Sequence, residues 1–316
     1  MEEYIPPELV KHIASYSSIP RLSRVNKSLY DIENDLLEER KEHLLKKYKN
    51  PNNAAKAKDW DAVRFMIEYG IGAYNADFIA NIAAYRGNRS IVQLMLDKGA
   101  SNYNHIAEGA AIGGHKDIVQ WMLDLGAKSY DIIAGGAAYG GYEDIIHWMI
   151  NLGANDYDLI AVEAAAGYHT DIIQWMIRLG AGDYNRITET AAYNGYKDII
   201  CWMLDLGANN YNRIAASAAY NGYKNIIQWM LDLGATDYND IAISATYSGH
   251  KDIVEWMLDK GANDYNDIAI SAARGGYKDI VQLVLDKGAN NYNEIIRSII
   301  LGGHKDLIEW AFSLKT

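Results

Sequence analysis

The sequence predicts an all-α solenoid of stacked helical repeats, and three observations carry that reading. Nine Gly-Ala pairs, opening at Gly72, Gly99, Gly126, Gly153, Gly180, Gly207, Gly234, Gly261 and Gly288, recur every 27 residues, and a fixed period of that size marks a repeat array. Each period holds two apolar patterns with helical spacing, parted by a glycine-rich break. All four prolines (Pro6, Pro7, Pro20 and Pro51) precede the array, so none interrupts its helices.

The unit from Gly261 to Lys287 reads GANDYNDIAISAARGGYKDIVQLVLDK. Three places after the glycine, Asn102, Ser129, Asp156, Asp183, Asn210, Asp237, Asp264 and Asn291 offer a side-chain oxygen to the amides of a first helix, A. The tyrosine that follows each of them, Tyr103 to Tyr292, reads as a ring stacked in the entering loop. Ile268, Ala269, Ala272 and Ala273 give helix A an apolar face whose small side chains allow close approach. After Gly275-Gly276 comes helix B, apolar at Ile280, Val281, Leu283, Val284 and Leu285 and polar at Lys278, Asp279, Gln282 and Asp286. Six tryptophans share one helix B position (Trp121, Trp148, Trp175, Trp202, Trp229, Trp256) and read as core wedges. The array begins with a shorter unit at Pro51, giving about nine to ten helix-turn-helix units. In the last unit Ile296, Ile299, Ile300, Leu301 and Phe312 replace smaller residues, as in an apolar cap that seals itself or a docking surface.

Composition excludes several functions. With 41 acidic and 30 basic side chains the net charge is −11, which opposes binding to nucleic acid or to anionic membrane. Cys201 is the sole cysteine, so no disulfide framework is expected, and an intracellular, cytoplasmic protein fits. No signal peptide or membrane span is visible. His115, His169, His250 and His304 occupy a turn position that Tyr142, Tyr196, Tyr223 and Tyr277 fill elsewhere, an exchange a metal ligand would not tolerate. No phosphate-binding glycine motif is present. The expectation is a monomer without enzyme activity, metal or cofactor, whose partner is a protein.

Segments such as Ala110-Ala111-Ile112-Gly113-Gly114-His115-Lys116-Asp117-Ile118-Val119, followed by helix B and Gly126-Ala127, resemble the ankyrin repeat. The resemblance covers residues 51 to 316 and implies an ankyrin-type solenoid. Ankyrin units are usually about 33 residues long; the missing six fall where that family builds its β-hairpin fingers, so a fingerless array is expected. Residues 1 to 50 do not repeat. Ile5-Pro6-Pro7-Glu8-Leu9 through Tyr16, then Leu22 through Tyr30, read as two short helices before a third at about 31 to 48, and resemble an F-box. That resemblance implies docking on the Skp-type adaptor of a cullin-RING ubiquitin ligase through Ile5, Pro6, Leu9, Ile13 and Val25. The alternative is a helical cap on the first repeat. The combination of the two resembles proteins of large DNA viruses of amoebae.

A target would bind on the concave face of the A helices. On a helical wheel, the positions six, nine, ten and thirteen places after each glycine lie opposite the apolar face. The sixth runs His105, Ile132, Leu159, Arg186, Arg213, Asp240, Asp267, Glu294; the thirteenth supplies Tyr85, Tyr139, Tyr193, Tyr220, Tyr247 and then Arg274. The tyrosines read either as ligand contacts or as rings packed across neighbouring repeats.

Overall fold

The computed structural model describes residues 22–313. Among them are twenty-one α-helices and no strand, arranged as repeated helix-turn-helix units of an ankyrin-type solenoid. The chain forms two compact units, one ending at Ala127 and the other beginning at Lys128.

In the first unit a long helix, α1 (Leu22–Tyr48), precedes the pairs α2 (Pro51–Lys56) and α3 (Trp60–Glu68), α4 (Ala76–Tyr85) and α5 (Arg89–Asp97), α6 (Tyr103–Ile112) and α7 (Lys116–Asp124). The sequence had suggested a break near residue 30. With no proline or glycine between Leu22 and Tyr48, one helix runs through. It packs on both helices of the first pair. Leu44 is buried there, the Arg40 guanidinium lies 4.3 Å from the centre of the Phe65 ring, and the Tyr48 hydroxyl donates to Asp59 Oδ2 at 2.7 Å. The helix therefore lies against the first repeat. Ile5, Pro6, Leu9 and Ile13 lie outside the described residues, as does the side chain of Val25, whose backbone belongs to α1.

The second unit holds seven pairs, with A helices at Tyr130–Gly140, Tyr157–Ala166, Tyr184–Asn194, Tyr211–Tyr220, Tyr238–Thr246, Tyr265–Gly275 and Tyr292–Leu301, and B helices at Glu143–Leu152, Thr170–Leu179, Lys197–Asp205, Lys224–Asp232, Lys251–Lys260, Lys278–Asp286 and Lys305–Ser313. Each A helix packs on its own B helix and on the neighbouring A helices. The apolar positions read from the sequence form the core: Ile268, Ala269, Ala272, Ala273, Ile280, Val281 and Val284 are fully buried. Leu283 and Leu285 are only half-buried. The tryptophans are not core wedges. All six are half-buried, and the methionine after each (Met122, Met149, Met176, Met203, Met230, Met257) is completely buried instead. A flexible thioether fills the narrow space between alanine-lined helices, while the larger indole lies at its edge, where the Trp175 ring meets that of His147 at 4.0 Å. In the last pair Ile296 and Ile299 are buried, but Ile300, Leu301 and Phe312 are exposed, so this repeat does not seal its own apolar face.

Local chemistry ends each helix. The oxygens of Asn102, Asp156, Asp183, Asn210, Asp237 and Asn291 accept from the amide three residues on; Ser129 and Asp264 make no such bond. The tyrosine beyond the cap opens helix A and is not in the loop. At the end of helix B the opening glycine adopts a left-handed φ, 117° at Gly153, which lets the Ala154 N–H reach the Met149 carbonyl at 3.0 Å.

Repeats are joined by a side chain the sequence had not singled out. Five places after each glycine stands only Asp or Asn, and its Oδ1 accepts two successive backbone N–H bonds from the next repeat's loop. Asp131 receives Asn155 and Asp156 at 2.7 and 2.8 Å, Asn212 receives Thr236 and Asp237 at 2.7 and 3.0 Å, and Asn266 receives Asn290 and Asn291 at 2.8 and 2.9 Å. Asp158, Asn185 and Asn239 do the same in the second unit and Asp77 in the first. The turn residues add a second link: a ring nitrogen of His169 donates to the Tyr139 carbonyl at 3.2 Å, and one of His304 to the Arg274 carbonyl at 2.9 Å. Tyr277 donates its hydroxyl to the equivalent carbonyl, of Tyr247, at 3.5 Å, while Tyr223 reaches the carbonyl one residue further on, of Asn194, at 3.3 Å. This explains the exchange of His and Tyr, since either ring carries a donor to the same place.

Asn212→Ala strands two backbone donors, and the expected loss in urea denaturation is about 1–2 kcal/mol. Asn212→Asp keeps the accepting oxygen and should unfold close to the parent midpoint; equal losses in the two variants would show that the oxygen is not what joins the repeats.

Candidate functional site

The A helices of the second unit present their sixth and thirteenth positions along one side. At the thirteenth, three consecutive repeats carry tyrosine: the Tyr193 and Tyr220 ring centres are 5.2 Å apart, and those of Tyr220 and Tyr247 5.8 Å apart with planes 23° from parallel. Tyr193 and Tyr247 are exposed and Tyr220 is half-buried between them. Alanine faces let neighbouring helices approach to about 8–10 Å, near enough for rings at equal positions to lean into contact. The ladder has sharp limits. Ala166 and Arg274 occupy the equivalent place on either side of it, so Tyr139 is exposed but separate from it, and Arg274 continues the row as an exposed cation.

About two turns earlier lies a row of charges. Arg213 stands between two carboxylates, Nε to Glu189 Oε2 at 3.9 Å and Nη1 to Asp240 Oδ2 at 3.6 Å, and Asn210 Nδ2 donates to Glu189 Oε1 at 3.3 Å. Arg186 is 3.9 Å from Asp183, and Asp267 is exposed. Burial raises the carboxyls of Glu189 and Asp240 above their ordinary values, while the Arg213 guanidinium pulls both back down. Glu189, at the ninth position, was missed by the sequence reading. The ninth and tenth positions, free on the helical wheel, are not free in the second unit: Gly135, Gly136, Val162, Ala216 and Ser298 are buried and the others apart from Arg297 are half-buried, because this flank of helix A faces the next A helix. A Cβ at Gly109 would fall 2.6 Å from Nδ2 of Asn81.

In the first unit Tyr85 is exposed, with the Arg86 guanidinium 4.5 Å from its ring centre, and His105 Nδ1 lies 3.1 Å from Glu108 Oε2.

One substitution near the second unit's turns stands out. Tyr168 occupies a left-handed turn position, φ 63°, held by glycine in other repeats, at a cost of about 1 kcal/mol. Its hydroxyl donates to Asp198 Oδ2 at 2.6 Å. At the same place two repeats further on, the aspartate is met by a lysine, Lys224 at Asp252, 2.6 Å; Thr170 stands where that lysine would be here, and Tyr168 supplies a donor.

Among the described residues no three His, Cys, Asp or Glu side chains are placed to hold a metal ion, and no helix is long and apolar enough to cross a membrane.

Residues 214–295, which include Tyr220, Tyr247, Asp240, Asp267 and Arg274, match the family model of ankyrin repeats in three copies. No curated protein matches the chain.

Arg213→Ala removes the cation that lowers both Glu189 and Asp240, leaving only Arg186 to lower Glu189, so both should titrate at higher pH, read by carboxyl NMR. Because their pKa values are raised in the folded state, that state binds protons more tightly than the unfolded chain. Their contribution to stability is fullest below the unfolded carboxylate values and shrinks as pH rises through the folded ones. Asp240→Asn should flatten that part of the pH profile, and an unchanged profile would rule out this origin.

Proposed function

We propose that the chain is a protein-binding scaffold whose target lies across the concave A-helix face of the second unit, centred on Tyr193, Tyr220 and Tyr247. The observation that carries this reading is the three-ring ladder with its own charged border, inside a repeat type that works as a non-enzymatic binding scaffold. Stacked tyrosines give rigid contact area with polar tips at little entropic cost. Arg186, Arg213, Asp240, Asp267 and Arg274 differ from repeat to repeat and supply discrimination, with Tyr139 at the margin of the surface. Tyr85 and His105 offer the equivalent positions in the first unit.

Residues 1 to 50 stand apart from the array at 51 to 316 in this proposal. A recruiting role for them, as the Skp-binding part of a cullin-RING ligase adaptor, rests on the sequence resemblance at Ile5, Pro6, Leu9, Ile13 and Val25. The packing of α1 on the first repeat favours the alternative, a scaffold whose N-terminal segment caps the array.

Replacing Tyr193, Tyr220 and Tyr247 together by alanine should remove partners captured from a eukaryotic lysate while the thermal unfolding midpoint stays within about 3 °C, the scale of a surface change. A collapse of stability would make the rings packing residues. In the same capture, recovery of Skp and cullin that vanishes in an Ile5→Ala, Leu9→Ala, Ile13→Ala chain would establish the adaptor; their absence from both would leave the cap.

A further inference from the structure

The residue before each opening glycine closes helix B. In four consecutive repeats of the second unit it is leucine: Leu152, Leu179, Leu206 and Leu233. Each is 40–42 % exposed, so the unit carries an apolar side chain on every one of these layers in water. The turn does not require it. Lys260 and Lys287 precede Gly261 and Gly288, whose φ values of 115° and 116° match the 109–118° of the glycines that follow the leucines. An apolar row with no local task marks an interaction surface.

The residues just before these leucines are Asn151, Arg178, Asp205 and Asp232. At Asp232 and Asp286 the acid of this row is held within its own helix by a glutamine four places earlier, Gln228 Nε2 donating to Asp232 Oδ1 at 2.7 Å and Gln282 Nε2 to Asp286 Oδ1 at 2.7 Å, whereas Asp259 has Glu255 in that place. Cys201 stands in that glutamine's place before Asp205. Asp205 and Arg178 are both exposed, and neither has a hydrogen-bond or ion-pair partner among the described residues. Two opposite, uncompensated charges thus flank the two central leucines in adjacent repeats.

We propose that this row is the contact surface for a second copy of the chain, with a two-fold axis passing between the layers of Leu179 and Leu206. A two-fold contact brings one patch against itself in reverse order. Leu179 then meets Leu206 of the other copy, Leu152 meets Leu233, and Arg178 meets Asp205, twice per dimer. The charges select this register: moving the axis onto either central layer sets Arg178 against Arg178 or Asp205 against Asp205. The dimer departs from the monomer expected from the sequence, and its surface lies at the helix B ends, independent of the tyrosine ladder.

Sedimentation of the full chain from about 1 to about 200 μM, the range for a small apolar contact, should show a monomer-dimer equilibrium. Arg178→Asp and Asp205→Arg, each alone, should weaken it by about tenfold or more, because each sets like charges together. The double variant restores both pairs and should return to within about threefold of the parent. Leu179→Gln with Leu206→Gln should sediment as a monomer, with an unchanged circular dichroism melt reporting an intact fold. A parent monomeric throughout, a dimer indifferent to these changes, or a double variant as weak as the single ones would each overturn the proposal.

Discussion

Within each unit, one side-chain oxygen per repeat carries the connection to the next. The Asp or Asn at the fifth position accepts two backbone amides of the following loop, and that loop has no strand or hairpin partner of its own. Unpaired amides would leave the entry to each A helix unfixed. A bond from outside makes a short return loop workable, which is why a period of 27 residues suffices where ankyrin units ordinarily take about 33. The second of the two residues so bonded, as at Asp156 or Asn210, is itself the cap that fixes where helix A starts. The alanine faces that follow set how closely it approaches its neighbours.

That regular placement is what makes a surface out of single positions. Because each layer repeats the last, a side chain at the thirteenth position of one A helix stands beside its equivalent in the next, and three tyrosines in succession become a ladder. The same geometry turns the sixth position into a row, where Arg213 is shared between Glu189 and Asp240. At the helix B ends it lines up four leucines. Each row carries information only where neighbouring copies differ or where an expected partner is missing, as at Cys201 and Thr170. Tyr168 shows how such a gap is mended: a strained backbone is tolerated because its hydroxyl reaches the aspartate that lost a lysine.

Much of the fold was legible because it rests on local chemistry. Capping oxygens, glycines with left-handed φ and two apolar periodicities are properties of a few neighbouring residues, and they place the helix pairs. The buried Ile and Ala positions followed from the same periodicity. Readings failed where a position's role depends on another repeat. The tryptophans looked like core because they are large and apolar, yet the space between alanine-lined helices admits methionine and leaves the indoles at the margin. The ninth and tenth positions looked free on an isolated wheel, but the wheel has no neighbour. The Asp-or-Asn restriction at the fifth position was in plain view, and its meaning was not, since the acceptor's partners lie 24 and 25 residues away.

The sequence by itself determined that the chain is an all-helical array with a 27-residue period, that each repeat holds two helices between its capping residue and its glycines, and which isoleucine and alanine positions line its core, because these follow from spacing and from capping chemistry inside one repeat. Only the tertiary structure decided which oxygen joins one repeat to the next, that Leu22 to Tyr48 is one continuous helix lying on the first pair, and which tyrosines touch. It also decided which charges are left without partners. Those are distances between side chains far apart in the chain, and no periodicity states them until the layers are stacked.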